Sequence, residues 1–184
     1  MPTMRPSDKP EAQRDFIESL LHEAGVTDKV ALVGRRGYYR DSMGVKGKND
    51  RGIYDDAIFV VSPNLFAAYN ANTDPSRGRP GMAVLKPGVW RYKIGVHGLS
   101  KPKAQQYKAL VQAAEVVVVR DGRGDDRGYF GINIHRGGNT TTGSEGCQTI
   151  VPDQWASFIA TVEAEMKEFG QTSLPYLLSD RGDA

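Results

Sequence analysis

Cys147 and His135 are the two side chains in this chain best suited to covalent chemistry. Cys147 is the only cysteine, and His135 is one of three histidines, twelve positions upstream. Both lie in the stretch Gly131–Ile150, G-I-N-I-H-R-G-G-N-T-T-T-G-S-E-G-C-Q-T-I. A free thiol ionises near pH ~8.5, so at neutral pH it needs a base or a local positive field to become a nucleophile. An imidazole across a glycine-rich turn supplies the base. Gly146 lets the backbone turn tightly, so that N–H groups around Gly146 and Cys147 can face an oxyanion. Ser144 is placed to orient a donor or bind substrate. Glu145, beside the thiol, is the other group in the stretch able to move a proton.

The elements that must position these residues follow from periodicity. Tyr129–Ile134 reads as a strand delivering His135. Pro152 opens a helix in which Trp155, Phe158, Ile159, Val162, Met166 and Phe169 recur at helical spacing; its N-terminus, a few residues beyond Cys147, would favour a thiolate. Upstream, Val30–Val33, Ala57–Val61, Phe66–Tyr69, Met82–Leu85, Val89–Val96 and Glu115–Val119 read as strands, with Pro63-Asn64 as a hairpin turn. Asp121–Gly128 reads as a further turn, and its acids lack the spacing of a calcium loop. His97 closes the Val89–Val96 strand beside Gly98 and is a candidate lining residue. Asp8–Glu23 reads as a helix capped by Asp8 and Glu11, with Phe16, Leu20, Leu21 and Ala24 as its apolar face. Lys101–Ala114 reads as a second helical excursion, and Leu174–Leu178 as a last strand. Arg35-Arg36 and Asp55-Asp56 are polar pairs in or beside a long Gly- and Arg-rich segment, Gly34–Asp56.

Hydrophobic content is 39%, charged content 25% and net charge +2, which fits one globular core. Basic residues form no stripe interleaved with aromatics, so nucleic acid is not an expected partner. One cysteine excludes an internal disulfide and C-x-x-C metal or redox motifs, and no metal or cofactor is expected. No apolar run approaches the ~18 residues of a membrane span, and the first residues lack the apolar core of a signal peptide. The expectation is a monomer of α+β, β-rich class: an N-terminal helical extension (1–28) packed on a single domain (29–184).

The central stretch resembles the signature of the L,D-transpeptidase catalytic domain, the YkuD-like family. There a strand ends in Ile-His-Gly, and a loop leads to Ser-His-Gly-Cys, an apolar residue and Arg or Asn. Here Ile134-His135 is followed by Arg136-Gly137-Gly138, and Ser144-Glu145-Gly146-Cys147 forms the second block. Lys86–Ile94, K-P-G-V-W-R-Y-K-I, is similar to the family's Thr-Pro-x-Gly-x-Phe/Tyr-x-Ile segment. Glu145 stands in place of the second His, and Gln148-Thr149 in place of the apolar-plus-Arg pair. Arg136 could take over the missing Arg's contact with a substrate carboxylate.

The resemblance implies a YkuD-like β-sandwich or barrel with peripheral helices and bacterial peptidoglycan as partner. The expected function is a murein hydrolase of endolysin or delivered-toxin type. Cys147 would attack a stem-peptide carbonyl, with His135 as base then acid. Such a chain would be made in the cytoplasm and act on the cell wall after release or delivery. Three alternatives stand beside it. One is cross-link formation by the same acyl-enzyme. Another is glycan cleavage with Glu145 as general acid opposite Asp56 or Asp74. The last is a non-catalytic murein-binding or virion protein.

Overall fold

The computed structural model describes residues 3–181. Eight strands close a barrel and three more form a small second sheet. In chain order the elements are α1 (Arg14–Glu23), β1 (Ala31–Arg36), β2 (Asp56–Ser62), β3 (Leu65–Asn72), β4 (Ala83–Leu85), β5 (Gly88–His97), β6 (Tyr107–Gln112), β7 (Val116–Arg120), β8 (Gly124–Gly128), β9 (Ile134–Arg136), β10 (Gln148–Ile150), α2 (Pro152–Glu168) and β11 (Leu174–Asp180). The barrel runs β1-β11-β5-β6-β9-β10-β3-β2, and the second sheet β4-β7-β8. The chain is thus α+β and β-rich with mixed pairing: β1–β11 and β9–β10 are parallel, and the other pairs antiparallel.

Alternation along the strands builds two apolar layers. Leu32 on β1 and Ile58 and Val60 on β2 point into the barrel with Tyr69, Tyr92, Leu110, Ile134, Ile150 and Tyr176. Ala31, Val33, Ala57 and Phe59 point outward, where Ile17 and Leu21 of α1 cover them. Burial on both faces is why β2 reads as an unbroken apolar run. Trp155, Phe158, Val162 and Met166 of α2 join the barrel core, and α2 packs against β3, β6, β9 and β10. Among the described residues no helix is long and apolar enough to cross a membrane.

Four expected elements differ, the first being the turn expected over Asp121–Gly128, which is a turn only as far as Arg123 and runs on as β8, paired with β7. The segment expected as a helix from Lys101 to Ala114 is a single 3₁₀ turn, Lys103–Gln105, followed by β6. Tyr107–Gln112 instead fills the barrel wall between β5 and β9, and that pairing overrides the local helical spacing. The first helix starts at Arg14, and Asp8 caps nothing. Residues ahead of it form a strap whose carbonyls serve the barrel: Met4 O accepts from Tyr54 N–H at 2.8 Å, and Asp8 O from Asn70 Nδ2 at 3.0 Å. Its buried face is Ile17 and Leu21, while Phe16 is exposed. Finally, the strand expected over Tyr129–Ile134 shrinks to β9, because Gly131 takes φ +67° and Asn133 N–H turns back onto Gly131 O at 2.9 Å.

Candidate functional site

Parallel pairing of β9 and β10 brings the two halves of the central stretch together. Gln148 pairs with Ile134, and Thr149 with His135. One step back along this register, Cys147 lies beside Asn133, and Asn133 N–H donates to Cys147 Sγ at 3.3 Å. Side chains two apart on a strand share a face, so His135 stands diagonally from Cys147.

The thiol is partly exposed. It donates to Gly131 O at 3.3 Å. Among the described residues no hydrogen bond joins it to an imidazole. Burial of its surroundings pushes the Cys147 thiol up to about 11, only partly offset by the Asn133 N–H. The expected help from the α2 N-terminus is not there: β10 and Val151 intervene, and the helix field falls off within a turn.

His135 is buried. Its Nδ1 lies 2.8 Å from Arg136 O. A carbonyl only accepts, so Nδ1 carries the proton and Nε2 keeps its lone pair. Burial, then the neighbouring His97, push the imidazole down to about 4. The resting pair is therefore a neutral thiol and a neutral imidazole. Tyr107 Oη lies 3.4 Å from the same carbonyl, and the Arg136 guanidinium sits 5.0 Å over the Tyr107 ring. Arg136 is thus exposed on the imidazole side of the site.

The Ser-Glu-Gly-Cys turn is held from within. Ser144 Oγ donates to Cys147 O at 2.6 Å and accepts from Gly146 N–H at 3.0 Å. Ser144 is thus buried and structural, and the Gly146 N–H expected to face an oxyanion is already used. The N–H of Cys147, which lies against its own sulfur, remains. Gly146 has φ +134°, and a Cβ there would sit 2.6 Å from Ala83 O, so only glycine fits.

Glu145 points outward and pairs with Arg79 at 3.0 Å, both side chains more than half exposed. The carboxylates once expected opposite it are sealed away. Asp56 is fully buried and accepts from Gly37 N–H, Thr73 N–H and Thr73 Oγ1. Asp74 is buried beside Arg36 and Asn49. Neither faces a cleft with Glu145, so neither of these two forms a carboxylate pair with it.

Two open clefts lie at the central stretch, and neither Cys147 nor His135 lines them. One of about 550 Å³ is lined by His97, Lys101, Tyr129, Gly131 and Asn133, and so includes both groups that hydrogen-bond the sulfur. The other, of about 460 Å³, is lined by Ser76, Arg77, Thr140, Thr141, Ser144 and Glu145. Among the described residues no group of three or more His, Cys, Asp or Glu is placed to hold a metal.

Asn133 escaped the sequence reading, and Gln148 was noted there only as a motif replacement, not for its role. Gln148 is fully buried. Its Nε2 donates to Thr73 O at 3.2 Å and Gly146 O at 3.3 Å, and its Oε1 accepts from Tyr176 Oη at 2.8 Å. Below it, Arg36 donates to Thr73 Oγ1, Thr73 O and Leu85 O at 2.8–3.0 Å. A buried amide two strands from a buried guanidinium leaves no periodic signal. In comparisons with known proteins, no family model, no curated protein and no solved structure matches the chain.

Proposed function

We propose that the protein is a cysteine enzyme of L,D-transpeptidase-like (YkuD-like) type that cleaves stem peptides of bacterial peptidoglycan, a murein hydrolase. The observation that supports this best is the disposition of the motif. The strand register sets the thiol diagonally from a buried imidazole held as its Nδ1–H tautomer, and the two residues that hydrogen-bond the sulfur, Gly131 and Asn133, line an open cleft.

The neutral resting pair dictates how the reaction runs. As Cys147 Sγ bonds to the substrate carbonyl carbon, the thiol proton passes to His135 Nε2. The carbonyl oxygen, now negative, takes a hydrogen bond from Cys147 N–H. His135 then returns the proton to the leaving nitrogen as the C–N bond breaks, leaving a thioester. Water attacks the thioester, giving its proton to His135, and the thiol is released. An amine in place of water would form a cross-link by the same route. A chain delivered to murein to break it would use water.

Digestion of purified sacculi, followed by mass spectrometry, tests the reading. Wild-type protein is expected to release fragments with new peptide termini, and Cys147→Ala to release at least ~10³-fold fewer while keeping its fold. New reducing sugar ends, or full activity in Cys147→Ala, would overturn it. A second reading, a murein-binding module, draws on one observation: the thiol is bonded to Gly131 O rather than to an imidazole. Binding of sacculi with no released fragment would favour that reading.

A further inference from the structure

The site contains a second imidazole that the motif does not supply. Where the resembling family has a second His in the nucleophile turn, this chain has Glu145, which points away toward Arg79. His97, from the far end of β5, instead lies flat against His135: the ring centroids are 3.9 Å apart and the planes 18° from parallel. Its position is fixed from two sides. Asn133 Nδ2 donates to His97 Nδ1 at 3.0 Å, which puts the His97 proton on Nε2. The Tyr107 ring stands 5.4 Å away, tilted at 55°. The residue that clamps His97 also reports to the sulfur, because Asn133 N–H bonds Cys147 Sγ and Asn133 O accepts from Gln148 N–H. Asn133 therefore ties the second imidazole, the thiol and the nucleophile strand into one unit. Of the two imidazoles, His97 is the one that lines the cleft shared with Gly131 and Asn133, the residues that hydrogen-bond the sulfur.

We propose that His97 is a positioning residue of the thiol site: clamped by Asn133 and stacked on His135, it fixes the plane of the His135 ring and lets the imidazole pair carry only one positive charge. The inference rests on reading Cys147 and His135 as the working pair. Two imidazolium rings face to face at this separation repel strongly, so the pair titrates in two steps that belong to both rings. The charged groups facing the pair act in the same sense. The Lys101 ammonium, from the turn after β5, bears on both rings, and the Arg136 guanidinium over Tyr107 bears on His135. No carboxylate is among the groups that shift either ring. Burial first, and the stack with it, thus keep His135 a neutral acceptor at a pH where a lone imidazole would be charged.

The test reads the pair without any murein substrate. Ring-proton NMR titration of His135 and the pH dependence of Cys147 alkylation by iodoacetamide are measured in wild type, His97→Phe, His97→Ala and Asn133→Ala. In His97→Phe the stacking face remains but the like charge is gone. The His135 midpoint is expected to rise by about one pH unit, and, because an imidazolium then persists beside the thiol to higher pH, Cys147 alkylation around that midpoint to be faster than in wild type. Asn133→Ala, which keeps both rings but frees His97, is expected to move the midpoint in the same direction by less. His97→Ala should add loss of ring order at His135, seen as averaged ring shifts. An unchanged His135 midpoint and alkylation profile in both His97→Phe and Asn133→Ala would reduce His97 to cleft wall and overturn the proposal. Failure of the wild-type protein to cut sacculi would overturn the hydrolase reading instead and leave these measurements standing.

Discussion

At the scale of single residues, the proposed reaction moves a proton within a neutral pair, and this has a measurable signature. The imidazole must be uncharged to accept the thiol proton, so activity should fall only as pH drops through about 4. The thiol must still hold its proton, so the alkaline limit lies near about 11. The expected profile of kcat/KM is a broad plateau between these limits, with no inflection near the ~6.5 of an ordinary histidine. A limb near the ~6.5 of an ordinary histidine would show instead that burial and His97 do not depress the His135 imidazole. Ser144→Ala tests the turn. It strips the hydroxyl that joins Gly146 N–H to Cys147 O and leaves two buried backbone groups unpaired, at a cost of about 1–3 kcal/mol. Denaturant unfolding should show that loss, and kcat should fall while KM changes little. Cys147, His135 and Ser144 were legible as candidates because their residue types stand close in sequence, whereas the buried, turn-holding role of Ser144 was not. Asn133 and Gln148 were not, because their roles rest on partners from β5 and β11 that no local pattern announces.

At the scale of elements, the nucleophile turn is wedged against the second sheet. Gly146 packs on Ala83 O of β4 and on Ile132. Gly146→Ala adds a methyl group into a backbone carbonyl and demands a positive φ that alanine resists. The expected result is a destabilisation of about 2 kcal/mol or more and an inactive site, read by thermal unfolding and sacculus digestion. The helix α2 and the β2–β3 hairpin were legible because long periodicity and a Pro-Asn turn mark them. β6 was not: its apolar spacing also suits a helix, and only the open wall between β5 and β9 decides the matter. The capping residues of α1 misled for a related reason. Asp8 and Glu11 have the right spacing, yet the carbonyls around them are claimed by Asn70 and Tyr38.

At the scale of the whole molecule, a buried carboxylate cluster sets how stability depends on pH. Burial pushes Asp55 up to about 7 and Asp56 well above the usual carboxylate range, and each bears on the other or on Asp74. One oxygen of Asp55 is buried without a hydrogen-bond partner. The folded chain thus holds protons that the unfolded chain gives up above pH ~4, so this part of its stability is present in acid and is lost as pH rises through about 7. His135 acts oppositely, losing stability as pH falls from ~6.5 through about 4. Above pH ~6.5 only the carboxylates act, and the Tm is expected to fall toward pH 8. Asp55→Asn should flatten that slope and raise the Tm at pH 8 by roughly 2–8 °C, with a smaller gain at pH 5. No gain at pH 8 would mean that the cluster is ionised without penalty.

The barrel closes by parallel pairing of β1 with β11, strands separated by most of the chain. Tyr176 of β11 is also the residue that holds the Gln148 carbonyl oxygen beneath the nucleophile turn. During synthesis, then, every catalytic candidate leaves the ribosome before the strand that orders them. A nascent chain that stops short of Leu174 carries the thiol and both imidazoles, but has an open barrel and no brace under Cys147. Activity should therefore appear only once β11 has docked, as a late, all-or-none event. The topology itself thus delays the bracing of the Cys147 turn until β11 has docked.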